Sequence, residues 1–253
     1  MFPTQRRRIL QDWVDGDGYV SMSEASAEFN VSTATIRRDL IAMESNGSVE
    51  RTRGGALRKR QLAAESLYGE KDLRNPEAKR RIAVCAAGLV ANGSTVLVNS
   101  GSTNRQVLRQ IFLSKECRVV TSHAAAPLEY RGSGELIVTG GLFRERSNSF
   151  VGLSSLHEIW KVVADVCIIG VDGLSLEMGV TTPAMAERDV ARAMMDSTNG
   201  TKVVVIDSSK LGVVANFQTA KTDEIDVLVT EVAPPREIES SLEELGVRVL
   251  VSD

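Results

Sequence analysis

The sequence predicts a two-domain α+β chain: a small unit of three short helices closed by a β-hairpin, then a larger α/β unit on a mostly parallel sheet. Three observations predict it. Apolar residues in the first sixty positions recur at helical spacing and give way to an arginine-rich Gly-Gly hairpin. From residue 94 onward, short continuous runs of Val, Ile and Leu alternate with helical stretches, the pattern of strands buried on both faces. Between the two regions lies a polar stretch without a clean period. Aromatic residues are only 4% of the 253, which suits helices packed on a sheet better than a β-sandwich.

In "RRRILQDWVDGDG", Ile9, Leu10, Trp13 and Val14 form the stripe of a first helix, and Gly16 and Gly18 are expected to end it. "YV" reads as a short extended piece. In "SMSEASAEFN", Met22, Ala25 and Phe29 line a second, short helix. Asn30 can take the left-handed conformation of a tight connection that Val31 plugs, and Ser32 is a good N-cap for the third helix. There Ile36, Leu40 and Met43 make the buried stripe. At 100° per residue, Ala34 and Arg38 fall about 160° and about 200° from Ile36, flanked by Thr35 and Arg37.

The face opposite the core therefore presents small and polar residues first and two arginines after. An ordinary solvent face could look the same. On a helix entering DNA, small N-terminal residues allow close approach, Ser and Thr hydroxyls reach phosphates, and Arg can donate two bonds to guanine. The segment after the helix decides between these readings. "NGSVERTRGGALRK" reads as a strand, a Gly-Gly turn and a second strand studded with arginine, and such a hairpin after three helices is a wing. The DNA-contacting set is then Ser32, Thr33, Ala34, Thr35, Arg37 and Arg38 from the helix, with Arg51, Arg53 and Gly54 from the wing. Charge agrees: residues 1–60 carry 10 Lys and Arg against 8 Asp and Glu, the remainder 20 against 25.

The stretch "GYVSMSEASAEFNVSTATIRRDLIAMESNGSVERTRGGAL" resembles the N-terminal winged helix of the DeoR family of bacterial transcription regulators, through the "S..TIRRDL" helix and the "R..GGA" wing. The resemblance covers roughly residues 4–57 and implies a winged helix-turn-helix that binds double-stranded operator DNA.

We read residues 1–57 as the DNA-binding domain, 58–74 as a linker with some helix, and 75–253 as the α/β domain for effector sensing and oligomerisation. Asn75 is the expected N-cap of the first helix there, with Pro76 at its first position and Asn92-Gly93 at its end. Seven strands are expected, in "STVLVNS", "CRVVTS", "ELIVTGG", "VADVCIIGVDG", "KVVVIDSS", "EIDVLVTE" and "VRVLVSD". In an open parallel sheet the loops after the strands share one edge, where ligands bind. Those loops offer Asn99, Gly101, Ser102, Thr103, Ser122, His123, Gly140, Gly141, Asp172 and Lys210. A glycine turn at a helix N-terminus with a nearby lysine suits a small anion.

This half resembles the DeoR-family sensor domain, whose sheet is related to ribose-phosphate isomerase and CoA-transferase folds, through "VNSGSTN", "VTSH", "TGG", "GVDGLSLEMGVTTPAMAERDVARAMM" and "IDSSKLG". The resemblance implies a phosphorylated sugar or polyol as effector. By motif position it adds Glu187 to the pocket beside Gly101, Ser102, Thr103, Ser122, Asp172 and Lys210. Asn99 stands where the family commonly has Asp and His123 where it often has Asn, so the effector is not transferable from a relative.

No zinc or disulfide pattern surrounds Cys85, Cys117 and Cys167, and no metal or cofactor is expected. Arg6–Arg8 is not followed by an apolar signal-peptide core, and no run approaches the roughly 20 apolar residues that span a bilayer. We therefore expect a cytoplasmic protein without membrane contact, a homo-oligomer of two or four copies. The alternative is a sugar-phosphate isomerase or deaminase carrying a basic N-terminal domain. Asp172, Glu187 and His123 would be its candidate bases, but no spacing pairs them, and a winged helix has no use in an isomerase.

Overall fold

The computed structural model describes residues 2–58, 65–132 and 134–252. Its N-terminal unit runs α1 (Pro3–Asp17), β1 (Tyr19–Ser21), α2 (Met22–Glu28), α3 (Thr33–Ser45), β2 (Val49–Arg51) and β3 (Gly55–Arg58). Helix α1 continues through Gly16, contrary to the sequence reading. Gly18 alone stops it, at φ 78°, with its N–H donating to the Val14 carbonyl at 3.0 Å. Asn30 sits at φ 50°, and the Ser32 hydroxyl caps α3 by accepting from Thr35 N–H at 3.2 Å.

Leu10, Val14, Val20, Ala25, Ile36, Leu40, Met43, Val49 and Ala56 form one small core, with Trp13 and Phe29 stacked at 5.2 Å on its border. The strands make a three-stranded antiparallel sheet in the order β1-β3-β2. Gly55 allows this pairing. A Cβ there would lie 1.8 Å from the Val20 carbonyl oxygen, so only glycine lets β1 close on the wing.

Two helices lead into the larger unit, α4 (Tyr68–Leu73) and α5 (Pro76–Gly88). Helix α5 ends at Gly88 rather than at Asn92-Gly93, which instead turns into the first strand. Asn75 occupies the N-cap position at φ 47°, but its side chain makes no cap and donates to Asp207 Oδ1 at 3.4 Å.

The chain continues with β4 (Thr95–Val98), α6 (Ser102–Ser114), β5 (Arg118–Thr121), α7 (Ala126–Glu129) and β6 (Glu135–Val138). A hairpin, β7 (Leu142–Arg144) and β8 (Ser149–Val151), precedes α8 (Leu153–Ile159) and β9 (Ala164–Gly170). Next come β10 (Gly173–Ser175), β11 (Gly179–Thr182), α9 (Met185–Asp196) and β12 (Thr198–Val205). The last elements are a 3-10 turn (Ser208–Lys210), β13 (Phe217–Ala220), β14 (Val227–Thr230), α10 (Arg236–Glu244) and β15 (Arg248–Val251).

The seven runs read as strands form one parallel sheet, ordered β15-β14-β12-β9-β4-β5-β6. Alternate residues serve opposite layers. Val96, Val98, Val166 and Ile168 pack with α5 and α6, whereas Leu97, Cys167 and Ile169 join the core containing α9 and α10 residues. Cover on both faces is why these runs are apolar without alternation. The strand order reverses between β4 and β9, and a crevice opens beyond their carboxyl ends.

The two units touch. The Leu211 carbonyl oxygen lies 2.9 Å from where a Cβ on Gly18 would stand, and Ser21 Oγ donates to Glu237 Oε1 at 3.3 Å.

Candidate functional site

Two surfaces carry chemistry. On α3, Ser32, Thr33, Ala34, Arg37 and Arg38 are exposed and Thr35 half-buried, while Ile36, Leu40 and Met43 are buried beneath them. Across the turn Thr52–Gly55, Thr52 N–H donates to the Gly55 carbonyl at 3.0 Å and Gly55 N–H to Thr52 Oγ1 at 3.0 Å. Arg53 is exposed at the tip and Gly54 half-buried. Arg51 is occupied: its Nη1 meets Glu44 Oε2 at 3.3 Å, which ties the wing to the end of α3.

One buried group organises this surface, and the sequence reading missed it. Asp39 is 2% exposed and accepts from Arg6 Nε at 2.5 Å and Arg7 Nε at 2.9 Å. The residue that follows Arg38 thereby anchors the recognition helix to α1.

The second surface is the crevice between β4 and β9, a cleft of about 950 Å³ including its open mouth. Its floor is the N-terminus of α6, where Gly101 stands at φ 133°, a value natural only to glycine, ahead of Ser102 and Thr103. Asn99 bridges the two strands: its Nδ2 donates to the Gly170 carbonyl at 3.0 Å and its Oδ1 accepts Gly170 N–H at 2.8 Å. An aspartate could not donate to that carbonyl. Asn104, fully buried in the cleft wall, donates to the Asn99 carbonyl at 3.1 Å, and its Oδ1 has no partner among the described residues.

Four cations, Lys71, Arg74, Lys79 and Lys210, line the cleft beside three carboxylates, Asp172, Glu187 and Asp207. Asp172 Oδ1 meets Lys71 Nζ at 2.5 Å and Lys210 Nζ at 3.6 Å. Burial alone would raise its carboxyl, but the two ammonium groups and the Thr182 hydroxyl leave it below the ordinary value. Burial raises the Glu187 carboxyl, although Glu187 Oε1 accepts from Arg144 Nη1 at 2.8 Å. Lys210 is carried by a braced turn, in which Asp207 accepts from Ser209 N–H at 3.2 Å and both oxygens of Glu231 accept from Ser208 N–H at 3.0 Å.

Of the sequence-derived pocket set, Asn99, Gly101, Ser102, Thr103, Asp172, Glu187 and Lys210 line this cleft, and four others do not. Gly141 turns the chain over Val151 and Ser155, and the Gly140 carbonyl accepts from Ser155 Oγ. Ser122 is buried behind the hairpin, its carbonyl accepting from Phe150 N–H at 2.8 Å. His123, expected among the pocket residues, is instead fully buried and does not line the cleft. Its Nδ1 accepts from Ala125 N–H at 3.1 Å and its Nε2 lies 3.3 Å from the Tyr68 hydroxyl. Burial, aided by Arg105, pushes the His123 imidazole down to about 4, so it is neutral and engaged at both nitrogens.

Tyr68, Lys71 and Arg74 belong to the stretch read as linker, and no local motif marks them as cleft residues. Among the described residues no cluster could hold a metal ion, and no helix is long and apolar enough to cross a membrane.

The profile described as "DeoR-like helix-turn-helix domain" matches residues 6–61, and that described as "DeoR C terminal sensor domain" matches residues 74–232. A winged helix joined to a sensor sheet with a polar cleft defines a DNA-binding transcriptional regulator, not an enzyme. Relatives match along nearly their whole length. The HTH-type transcriptional regulator GlpR of Haloferax volcanii is 32% identical over 99% of this chain and 98% of its own. The glycerol-3-phosphate regulon repressor of Escherichia coli is 28% identical over 93% of each, and the repressor GlcR of Bacillus subtilis 27% over 100% and 98%. The chain belongs to the DeoR family of transcriptional regulators. Among solved structures, ribose 5-phosphate isomerase A of Methanocaldococcus jannaschii aligns over 54% of this chain and 55% of its own at TM-score 0.40 and 18% identity. The eIF2B beta subunit of Chaetomium thermophilum aligns over 68% and 53%, at TM-score 0.45 and 14% identity.

Proposed function

We propose that this regulator represses an operon of carbohydrate or polyol use and leaves its operator when a phosphorylated sugar or polyol fills the cleft. The observation that carries this reading is the juxtaposition of the α6 N-terminus at Gly101–Thr103 with Lys71 and Lys210. Helix-terminal N–H groups, hydroxyls and ammonium groups together suit a phosphate. Asp172 supplies acceptors for hydroxyl groups on the remainder of the ligand. The name of the glycerol-3-phosphate regulon repressor, which contains a phosphorylated polyol, supports the same effector class. A screen of phosphorylated sugars for a raised melting temperature, followed by operator titration, tests it. Turnover of a stabilising compound, or stabilisation by none, defeats the reading.

Within the DNA surface, Arg38 reads bases and Arg53 holds phosphate. Arg38→Ala is expected to lose about 1–3 kcal/mol and relax specificity at one operator position. Arg53→Ala weakens all sequences alike and makes the salt dependence shallower. Competition titrations against single-base operator variants at several salt concentrations separate the two. Unchanged preference in Arg38→Ala overturns the assignment of α3.

The regulator acts in the cytoplasm as a homo-oligomer, a dimer or tetramer paired through the sensor domain, because one winged helix makes too few contacts for operator-level affinity. Sedimentation is expected to show at least a dimer, and a monomer both free and on DNA contradicts this.

A further inference from the structure

The segment Glu65–Arg74 joins the two domains, yet its contacts are those of a wall. Arg144 holds Glu65, with Nη2 at 2.6 Å from Oε2, and also donates to Glu187 in the cleft. Asp72 accepts from Arg105 Nη1 at 2.9 Å, and the Tyr68 ring packs edge-on against His123 at 5.6 Å. Lys79, 4% exposed, donates its ammonium group to the backbone carbonyls of Lys71 and, at 2.6 Å, Arg74. Burial lowers the Lys79 amine, and this buried cation ties the C-terminal end of α4 to α5. Connecting segments ordinarily run free over the surface. This one is pinned by three separate charge pairs within eight residues, Glu65–Arg144, Lys71–Asp172 and Asp72–Arg105.

The charge balance is the second observation. Asp172 faces two ammonium groups, Lys71 and Lys210, and the cleft as a whole sets four cations against three carboxylates, one of which, Glu187, is already engaged by Arg144. The surplus positive charge lies in the cleft that also holds the α6 N-terminus.

We infer that α4 is a ligand-reading tether: Lys71 passes from Asp172 to the anionic group of the bound effector, and the Glu65–Arg74 strap carries that change to the wing. The inference rests on the phosphorylated-effector reading above. Strand β3 of the wing ends at Arg58, seven positions before Glu65, the first residue of the strap among those described. A ligand shifts a conformational equilibrium only by binding one arrangement better than another, and an exchange of partners at Lys71 is such a difference. Lys71 gives the strap a residue in the binding site, whereas Glu65 and Asp72 lie outside the cleft, on the chain that leads to the DNA-binding domain.

The test uses the full-length protein, an operator duplex, and glycerol 3-phosphate, ribose 5-phosphate and glucose 6-phosphate as probes. Calorimetry gives probe affinity, and titrations give the ratio of operator Kd with and without probe. Lys71→Met is expected to weaken probe binding about tenfold or more, with part recovered in Lys71→Arg. The double variant Glu65→Gln/Asp72→Asn loosens the strap outside the cleft. It is expected to bind probe within about threefold of wild type while the operator ratio falls toward one. Wild-type probe affinity in Lys71→Met overturns the inference, as does a wild-type operator ratio in the double variant. Loss of probe binding in the double variant also overturns it, since the strap would then only hold the cleft together. A wild type that ignores all three probes defeats the effector reading itself, and this inference with it.

Discussion

Asp39→Ala is expected to abolish operator binding while the sensor domain stays folded. Asp39 is buried on the core side of α3 and takes the guanidinium groups of Arg6 at 2.5 Å and Arg7 at 2.9 Å. Arg6 is itself 5% exposed, so the substitution removes a carboxylate from a guanidinium that cannot reach water. Breaking a buried pair by deleting one partner costs about 3–5 kcal/mol. The N-terminal core beneath it is nine buried side chains, several of them small, and a loss of that size is comparable with what so small a unit can spare. The recognition helix then loses its anchor to α1, and both arginines it presents lose their alignment. Hydrogen exchange is expected to show lost protection across residues 2–58 and retained protection in the seven-stranded sheet. An Asp39→Ala protein with operator affinity within about twofold of wild type would falsify the anchoring role.

Lys210→Ala is expected to keep operator binding and lose the response to effector, giving a repressor that cannot be induced. Lys210 lies in the cleft, 3.6 Å from Asp172, on a turn braced by Asp207 and Glu231 rather than by its own side chain. Its removal therefore leaves the turn in place and takes one of the cations proposed to meet the phosphate. Release of DNA requires the effector to bind the low-affinity arrangement more tightly. A coupling of roughly 1–3 kcal/mol corresponds to about 5- to 150-fold weaker operator binding in the wild type. In the variant that factor is expected to shrink toward one. Operator titrations of both proteins, each with and without a phosphorylated polyol that stabilises the wild type, measure it. Release of the variant at the wild-type effector concentration removes Lys210 from the proposed phosphate site.

How far the sequence was legible depends on the range of the interaction involved. The seven sheet strands were readable because burial on both faces writes itself as continuous Val, Ile and Leu. Helix α3 was readable because its cap and its stripe lie within a few residues of each other. The short strands β7, β8, β10, β11 and β13 were not, since none of them carries a continuous run of Val, Ile and Leu. Asp39 was missed for a different reason. It lies about 60° from Ile36 on the helix, beside the buried stripe, where no local feature separates a buried carboxylate from a solvated one. The arginines that make its burial possible are more than thirty positions away.

The cleft divides in the same way. Gly101, Ser102, Thr103, Asp172 and Lys210 follow strands directly, so the strand pattern alone carried them to the sheet's carboxyl edge. That rule says which edge, not which loops lie together, and only the order β9-β4 at the centre of the sheet decided that. It drew Asn99 and Gly170 into one crevice and left Gly140, Gly141, Ser122 and His123 toward the β6 side and the hairpin. It also seated Lys71 on Asp172, 101 residues apart in sequence. Local pattern thus determined the elements, the cap, the wing and the chemistry of the loops. Which distant charges share a site was decided by tertiary packing, because a buried charge is tolerated only where the fold delivers its partner.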